Sequence, residues 1–388
     1  MMLQFLRRAA RVLVVLVLVA AAVGVWKREP LTRLWEVLTL FDEGRIVQNF
    51  SHMDAAFLTT PVTKGDTAPM PLPPGPPATL PASVAPWVVA RAVTALVVLK
   101  DGQLVHESYY LGTGPLDRRI SWSVAKSALS ALVGVVVAEG SIASLDDPVT
   151  RYVPQLVGSA YDGASIRNVL NMASGVKFDE DYMAFFSDIN KMGRVIGLGG
   201  SLDEFTAALK ERTSAPGQTW QYVSIDTHVL GMVIRGATGR EIPDLISEKL
   251  FRPLGLEVEP AYVTDGTGQA FVLGGLNMAT RDYARLGQLF LQNGAANGRQ
   301  IVPADWVAAS TSPSAPTAPG AIGYGYQWWV PKGAVPGEFM AMGIYGQFIY
   351  INRPAGVVIA VNAADRRFTE AGVEDANIAM FRAIAASF

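Results

Sequence analysis

The stretch SWSVAKSALSALVGVVVAEG, residues 121–140, carries a single charge, Lys126, in a run that otherwise reads as buried helix until Glu139. An ammonium on a buried helix is costly unless paired, and loss of water lowers a lysine pKa by up to several units. Lys126 is therefore expected to be neutral. Ser123 opens the helix three residues earlier, where positions i and i+3 share a face and the first N–H groups are free to hold a developing oxyanion. A neutral amine about 3 Å from a hydroxyl is a competent general base, so the pair reads as an activated nucleophile. The plain structural alternative is a lysine that snorkels to the surface or ties down a loop. The spacing alone is weak, since a chain of this length holds roughly one or two S-x-x-K pairs by chance. The second one here, Ser174–Lys177, spans Gly175, read as a helix C-cap that takes the two side chains off a common face.

Outward from that helix, TALVVLKDGQLVHESYYLG (94–112) sets two β-rich runs around Asp101-Gly102, the dipeptide of a type I′ hairpin turn. Helical patterns dominate from Ser123 to about Phe251. They include SIRNVLNMAS, closed by Gly175, and DTHVLGMVIRGATG, closed by Gly239. Strand character returns in GYGYQWWV, GQFIYINR and GVVIAVNA, and a last helix, Ala371 to Ala386, is expected to pack on that sheet. The pattern predicts one α/β domain over 81–388: an antiparallel sheet flanked by helices, with an all-helical insertion over about 123–265.

The N-terminus is different. Arg7, Arg8 and Arg11 precede an uncharged run from Val12 to Trp26, and Lys27 and Arg28 follow. Its length falls between a signal-peptide core and a span of about 20 residues. Residues 1–30 thus read as a transmembrane anchor or as a signal cleaved near Ala20-Ala21-Ala22; the flanking basic residues argue against a buried soluble helix. Either reading exports the rest to the cell envelope, anchored on the bacterial inner membrane with the catalytic domain in the periplasm, or released after cleavage. In residues 31–80, Leu31, Leu34, Trp35, Leu38 and Phe41 recur at helical spacing, and TAPMPLPPGPPATLP (67–81) reads as an extended linker.

Composition narrows the chemistry. A net charge of −2 gives no pull toward nucleic acid, and the absence of cysteine excludes disulfides and thiolate nucleophiles. His52, His106 and His228 lack any metal-ligand spacing, so neither a metal nor another cofactor is expected. His106 in a strand and His228 in a helix have no triad partner in sequence. A third group must carry the proton to the leaving atom, and a tyrosine near a cation can do so. Tyr222-Val-Ser224, just before a helical run, supplies it; the same pattern at Tyr350-Ile-Asn352 lies in an alternating strand and reads as sheet packing.

In order along the chain stand SWSVAKS, LDDPVTRYVP, VLNMASGVKFDEDY, PGQTWQYVS, GGLNMATRDYARLGQLFLQNG, YGYQWW and GIYGQFIYINR. Together these segments resemble the serine β-lactamase-like hydrolases over about residues 85–385. That family embraces class C β-lactamases, D-alanyl-D-alanine carboxypeptidases, related esterases and 6-aminohexanoate-dimer hydrolases. The last branch is most similar, and IVQNFSHMDAAF (46–57) looks like its extension. The resemblance implies a β-lactamase/transpeptidase-like fold and a small-molecule amide or ester substrate. It implies Ser123 as nucleophile, Lys126 as its base and Tyr222 as the assisting phenol, with Ser224 in the second polar position. The third motif falls at Ile344-Tyr345-Gly346, so that the Gln347 N–H would join the Ser123 N–H in an oxyanion hole. Tyr182 matches a loop tyrosine that approaches the substrate amide.

One departure bears on substrate. Ile344 stands where the β-lactamases carry the lysine that faces a substrate carboxylate, which argues against efficient β-lactam hydrolysis. A D-Ala-D-Ala carboxypeptidase or weak β-lactamase, and a non-catalytic exported binding protein on the same fold, are the competing readings. Asp179, Glu180 and Asp181 read as a solvated acidic loop or as a cluster that attracts a substrate ammonium, Asp146-Asp147-Pro148 as a turn and helix start, and Trp328 and Trp329 as core and rim or as substrate stacking.

Overall fold

The structure is a computed structural model that describes residues 28–388, together with positions 4, 7, 8, 10–14 and 17. The hairpin expected at Asp101-Gly102 joins β2 (Val93–Lys100) to β3 (Gln103–Tyr109), with φ of 49° and 80° at the two turn residues. Positive φ at both central positions matches the right-handed twist of the strands, which is why Asp-Gly serves there. β2 pairs on its other edge with β13 (Val357–Ala363). Then follow β12 (Gln347–Asn352), β11 (Glu338–Gly343), β10 (Trp329–Val330) and β9 (Gly323–Tyr324), completing a seven-stranded antiparallel sheet. Helices cover both of its faces, so VTALVVLK and VVIAVNA read as unbroken apolar runs rather than alternating ones.

Six helices matter below: α1 (Arg28–Leu38), α2 (Val124–Ala138), α3 (Asp188–Gly197), α4 (Ser224–Thr238), α5 (Thr280–Leu291) and α6 (Val373–Ala385). On one face of the sheet α2 and α5 join the large core with Leu129, Leu132, Leu286 and Phe290. On the other, Phe381 and Ile384 of α6 pack with Trp87 against Phe348 and Tyr350. Tyr350 is thus sheet packing, its hydroxyl donating to Glu338.

The helical middle is less uniform than its sequence pattern. A second antiparallel sheet runs through it, formed by β1 (Leu58–Pro61), β5 (Ala261–Thr264), β6 (Leu276–Ala279) and β4 (Arg118–Ile120) in that order. Strands of three or four residues are too short to show a period in sequence. The helix expected to run to Gly175 ends at Leu170, because Met172 turns left-handed with φ of 52°.

The boundary expected at Pro81 is not a structural boundary. Leu40, Ile46, Phe50, Met53, Val62 and Met70 all lie in the main core, each burial contributing roughly 1.5–3 kcal/mol. Buried Arg119 of β4 donates to the Val47 carbonyl and to Ser51, and β1 pairs with β5. The proline-rich stretch is extended, as its composition requires, but it is docked rather than free. Gly75 and Ala78 donate to the carbonyls of Leu104 and Val105, adding a strap along β3. Most of the Val12–Trp26 run, on which a transmembrane helix was expected, lies outside the described residues. Among the described residues no helix is long and apolar enough to cross a membrane.

Candidate active site

Ser123 sits at the entry to α2, half-buried, its own side chain making no cap to the helix. Trp122 before it is held at φ of 42°, a region a bulky side chain adopts at a cost of roughly 1–3 kcal/mol. Packing holds it there, its ring meeting Phe50 at 5.6 Å and Tyr345 at 6.2 Å. One turn into the helix Lys126 is buried, its Nζ 2.8 Å from Ser123 Oγ and donating to the Leu273 carbonyl at 2.8 Å. The alternative of a snorkelling lysine is gone. Burial pushes the Lys126 pKa from 10.5 down to about 7, against an upward pull from Glu180.

Tyr222 completes the group. Its ring lies 5.3 Å from Lys126 Nζ and stacks on Trp329 at 5.3 Å. Burial raises its pKa well above that of an ordinary phenol, the Glu180 charge adds to this, and hydrogen bonding to Ser123 and Ser224 pulls the other way. The phenol therefore stays protonated near neutrality. Of Lys126 and Tyr222, only the amine is poised to take a proton there.

Glu180 was read in sequence as part of a solvated loop; the structure corrects this. Its carboxylate accepts from the Ser224 N–H and, at 3.2 Å, from Ser224 Oγ. Tyr182 also hydrogen-bonds to it. Burial raises the Glu180 pKa, and the Lys126 charge opposes the rise. Charge count along an acidic loop holds no sign of this, because the signal is the helix N-terminus at Ser224 that the loop folds against. Asp179 and Asp181 remain loop residues capping local N–H groups.

The third motif falls on the hairpin between β11 and β12. Gly343 closes β11 against Ser123: a Cβ built there would stand 2.6 Å from the Ser121 carbonyl oxygen and 3.1 Å from Ser123 N. Only glycine allows the two backbones so near. Gln347, expected as the second oxyanion donor, has a buried side chain that staples the hairpin to β13. Its Nε2 donates to the Ala363 carbonyl at 2.8 Å and its Oε1 accepts from Asn362 at 2.9 Å. The close approach to Ser123 is made by Gly343, with Gln347 paired opposite it across the hairpin. Ile344 and Tyr345 are half-buried, and Gly346 turns the chain at φ of 86°. Tyr345 stacks on Phe41 at 4.9 Å and packs at a tilt on Phe368 at 4.6 Å, in an aromatic group beside Ser123.

Other expectations resolve as structure. Trp328 is core, packed on Phe290. His228 bonds Asp203, which Arg235 also holds, and His106 bonds Ser108. Lys177 pairs with Glu211, while Ser174 donates to Asp226, so the second S-x-x-K is no pair at all. A cavity of about 440 Å³ lies at the far end of α2, lined by Glu139, Lys249 and Arg299; Lys249 is already paired with Glu139 and Glu248. No metal-binding group of three or more His, Cys, Asp or Glu occurs among the described residues.

Asp226, two residues beyond Ser224, accepts from Tyr161 and Ser174 through Oδ1, while its buried Oδ2 has no partner among the described residues. Burial raises its pKa from 3.8 to about 7. The folded chain then holds a proton that the unfolded chain releases, and stability falls as pH rises between those values. Asp226→Asn mimics the neutral acid. Its advantage in melting temperature over wild type is expected to grow by several degrees between pH 4 and pH 8, as calorimetry at the two pH values will read.

The sequence profile of the Beta-lactamase family matches residues 88–382. The chain belongs to that family. A 6-aminohexanoate-dimer hydrolase from Paenarthrobacter ureafaciens is 31% identical over 284 residues, 69% of this chain and 72% of the relative. Esterase EstB from Burkholderia gladioli is 30% identical over 142 residues, 34% of this chain and 36% of the relative. Among solved structures, one from Bacillus anthracis, provisionally named a 6-aminohexanoate-dimer hydrolase, superposes with a TM-score of 0.77. It covers 89% of this chain and 95% of its own at 24% identity, which speaks to fold. The Beta-lactamase match begins near the helix Val84–Ala90. Phe41, which packs on the site, therefore comes from an arm outside it.

Proposed function

We propose that this protein is a serine hydrolase that cleaves an amide or ester bond through an acyl-enzyme on Ser123. The observation that carries this is the 2.8 Å contact between Ser123 Oγ and a lysine whose pKa lies about 7. Neutral Lys126 takes the hydroxyl proton as Oγ attacks the carbonyl carbon. The oxyanion is held by the Ser123 N–H with a hairpin N–H beside Gly343. Tyr222 gives its proton to the leaving nitrogen or oxygen and is recharged from the Lys126 ammonium. Water then attacks the ester carbon by the reverse transfers, restoring Ser123 and releasing the acid. Tyr182, Ser224, Ile344, Tyr345 and Gly346 form the surrounding substrate site. The Paenarthrobacter and Burkholderia relatives support an amide or ester substrate. The half-buried Ile344 offers no cation to a β-lactam carboxylate, which supports the hydrolase reading over a β-lactamase one. Attachment to the cell-envelope membrane through residues 1–30 is part of the proposal, supported by the basic flanks of Val12–Trp26.

The test is labelling with a fluorophosphonate followed by peptide mass spectrometry. The adduct is expected on Ser123, with p-nitrophenyl butyrate and linear amides competing and nitrocefin turned over poorly. An adduct elsewhere, or none, overturns the assignment.

Glu180 tunes the base. Its charge raises the Lys126 pKa, so removing it leaves desolvation unopposed. Glu180→Gln is expected to move the acid limb of the kcat/KM profile to lower pH, measured with p-nitrophenyl acetate between pH 5 and 9. An unmoved or upward-shifted limb would separate Glu180 from Lys126.

A further inference from the structure

Exposed apolar side chains gather near the Ser123 site. Among the described residues from 32 onward, fourteen large apolar side chains are exposed, and seven of them fall in two segments, 35–41 and 183–198. Single apolar residues on a surface need no explanation, but a gathering of them does. Phe186 is 78% exposed, Leu198 77% and Leu38 70%.

Both segments run into the aromatic group beside Ser123. Phe41 stacks on Tyr345, whose hairpin abuts Ser123. Tyr182, just before the exposed Met183, Phe185 and Phe186, meets Phe368 at 6.0 Å, and Phe368 packs on Tyr345 at 4.6 Å. The segments also meet at a second place. A Cβ built on Gly197 would lie 3.6 Å from Val37, which sets Leu198 beside the helix that carries Trp35 and Leu38.

We infer that this apolar surface docks on a phospholipid bilayer, so that the Ser123 site opens at the membrane surface. The chain before α1 names the occupant. Val12–Trp26 is fifteen residues without charge between Arg11 and Lys27, and Lys27 alone separates it from α1. A run of that composition partitions into lipid, with basic flanks at the headgroups. Helix rise then sets Trp35 only about 12 Å along α1 from the headgroup layer. An interfacial helix keeps its apolar face in the acyl boundary, which is where Trp35, Leu38 and Phe41 would lie. Substrates that partition into lipid reach Ser123 without crossing bulk water. The inference rests on the proposed membrane attachment and not on the acyl-enzyme; binding with equal behaviour at the two labelled positions would end the docking and leave the attachment standing.

The chain has no cysteine, so one introduced thiol takes a fluorophore alone. Phe186→Cys and, as control, Val89→Cys are labelled with nitrobenzoxadiazole in the full chain. Val89 is 81% exposed and belongs to the helix on the far face of the main sheet. Each conjugate is mixed with vesicles of phosphatidylethanolamine and phosphatidylglycerol, and its fold is checked by circular-dichroism melting. Emission at position 186 is expected to rise severalfold and to be quenched by nitroxide-labelled lipid, with no change at position 89. Equal behaviour at the two positions, or no binding to vesicles, overturns the inference. So does a rise at position 186 that follows protein concentration without lipid, which would make a second copy of the chain the occupant.

Discussion

Ser123→Ala is expected to lower kcat/KM for p-nitrophenyl butyrate by about 10⁴-fold or more, because a nucleophile acting with its base is lost as a unit. No neighbouring hydroxyl can replace it. Ser121 Oγ donates to the Trp122 carbonyl, Ser127 Oγ to Gln327 and Ser130 Oγ to Tyr326, and all three residues are buried. Stability should change by less than about 1 kcal/mol, since Lys126 keeps its bond to the Leu273 carbonyl and only one polar contact is removed. Steady-state turnover beside a thermal melt separates loss of chemistry from loss of fold. A residual rate within tenfold of wild type would mean that the acyl group is carried by some other residue.

The geometry behind that result was legible where chemistry is local. Ser123 and Lys126 are three residues apart on one helix, so their contact follows from helical periodicity, and the low lysine pKa follows from the apolar residues around it. The hairpin at Asp101-Gly102 and the left-handed Gly239 that ends α4 were equally local. What escaped was assembled across the chain. Glu180 and Ser224 are 44 residues apart and meet because a loop folds over a helix start. Phe41 and Tyr345 stack from opposite ends of the sequence. Gly343 shows in sequence only as a glycine before the third motif; the close backbone approach that requires it appears only once α2 is set against the end of β11. The reading of residues 67–81 as a free linker failed for the same reason. Proline content fixes an extended path, but whether that path is free or docked depends on Leu104 and Gly255, whose carbonyls accept its N–H groups.

Lys126 is where two explanations of the site give different numbers. If the lysine acts as a base, it must lose its proton, and wild-type kcat/KM should fall about tenfold per pH unit below an apparent pKa of about 7. The pair with Glu180 titrates as a unit, so that value belongs to both groups. Lys126→Met fills the buried space without an amine and is expected to cost about 10³-fold in kcat, within the range general bases supply. If instead the lysine acts only as a fixed positive charge, arginine should preserve much of the rate, because a guanidinium remains charged at every accessible pH. Lys126→Arg is therefore the deciding variant. The expected result is activity near the methionine level and no acid limb. Stability provides an independent readout. The folded chain holds fewer protons on this lysine than the unfolded chain between about pH 7 and 10.5, so wild type should gain stability as pH rises through that window. Methionine has nothing to titrate there, and the stability difference between the two proteins should shift with pH in the direction that the buried amine requires. Retention by arginine of more than a tenth of the wild-type rate would assign the proton transfer to another group.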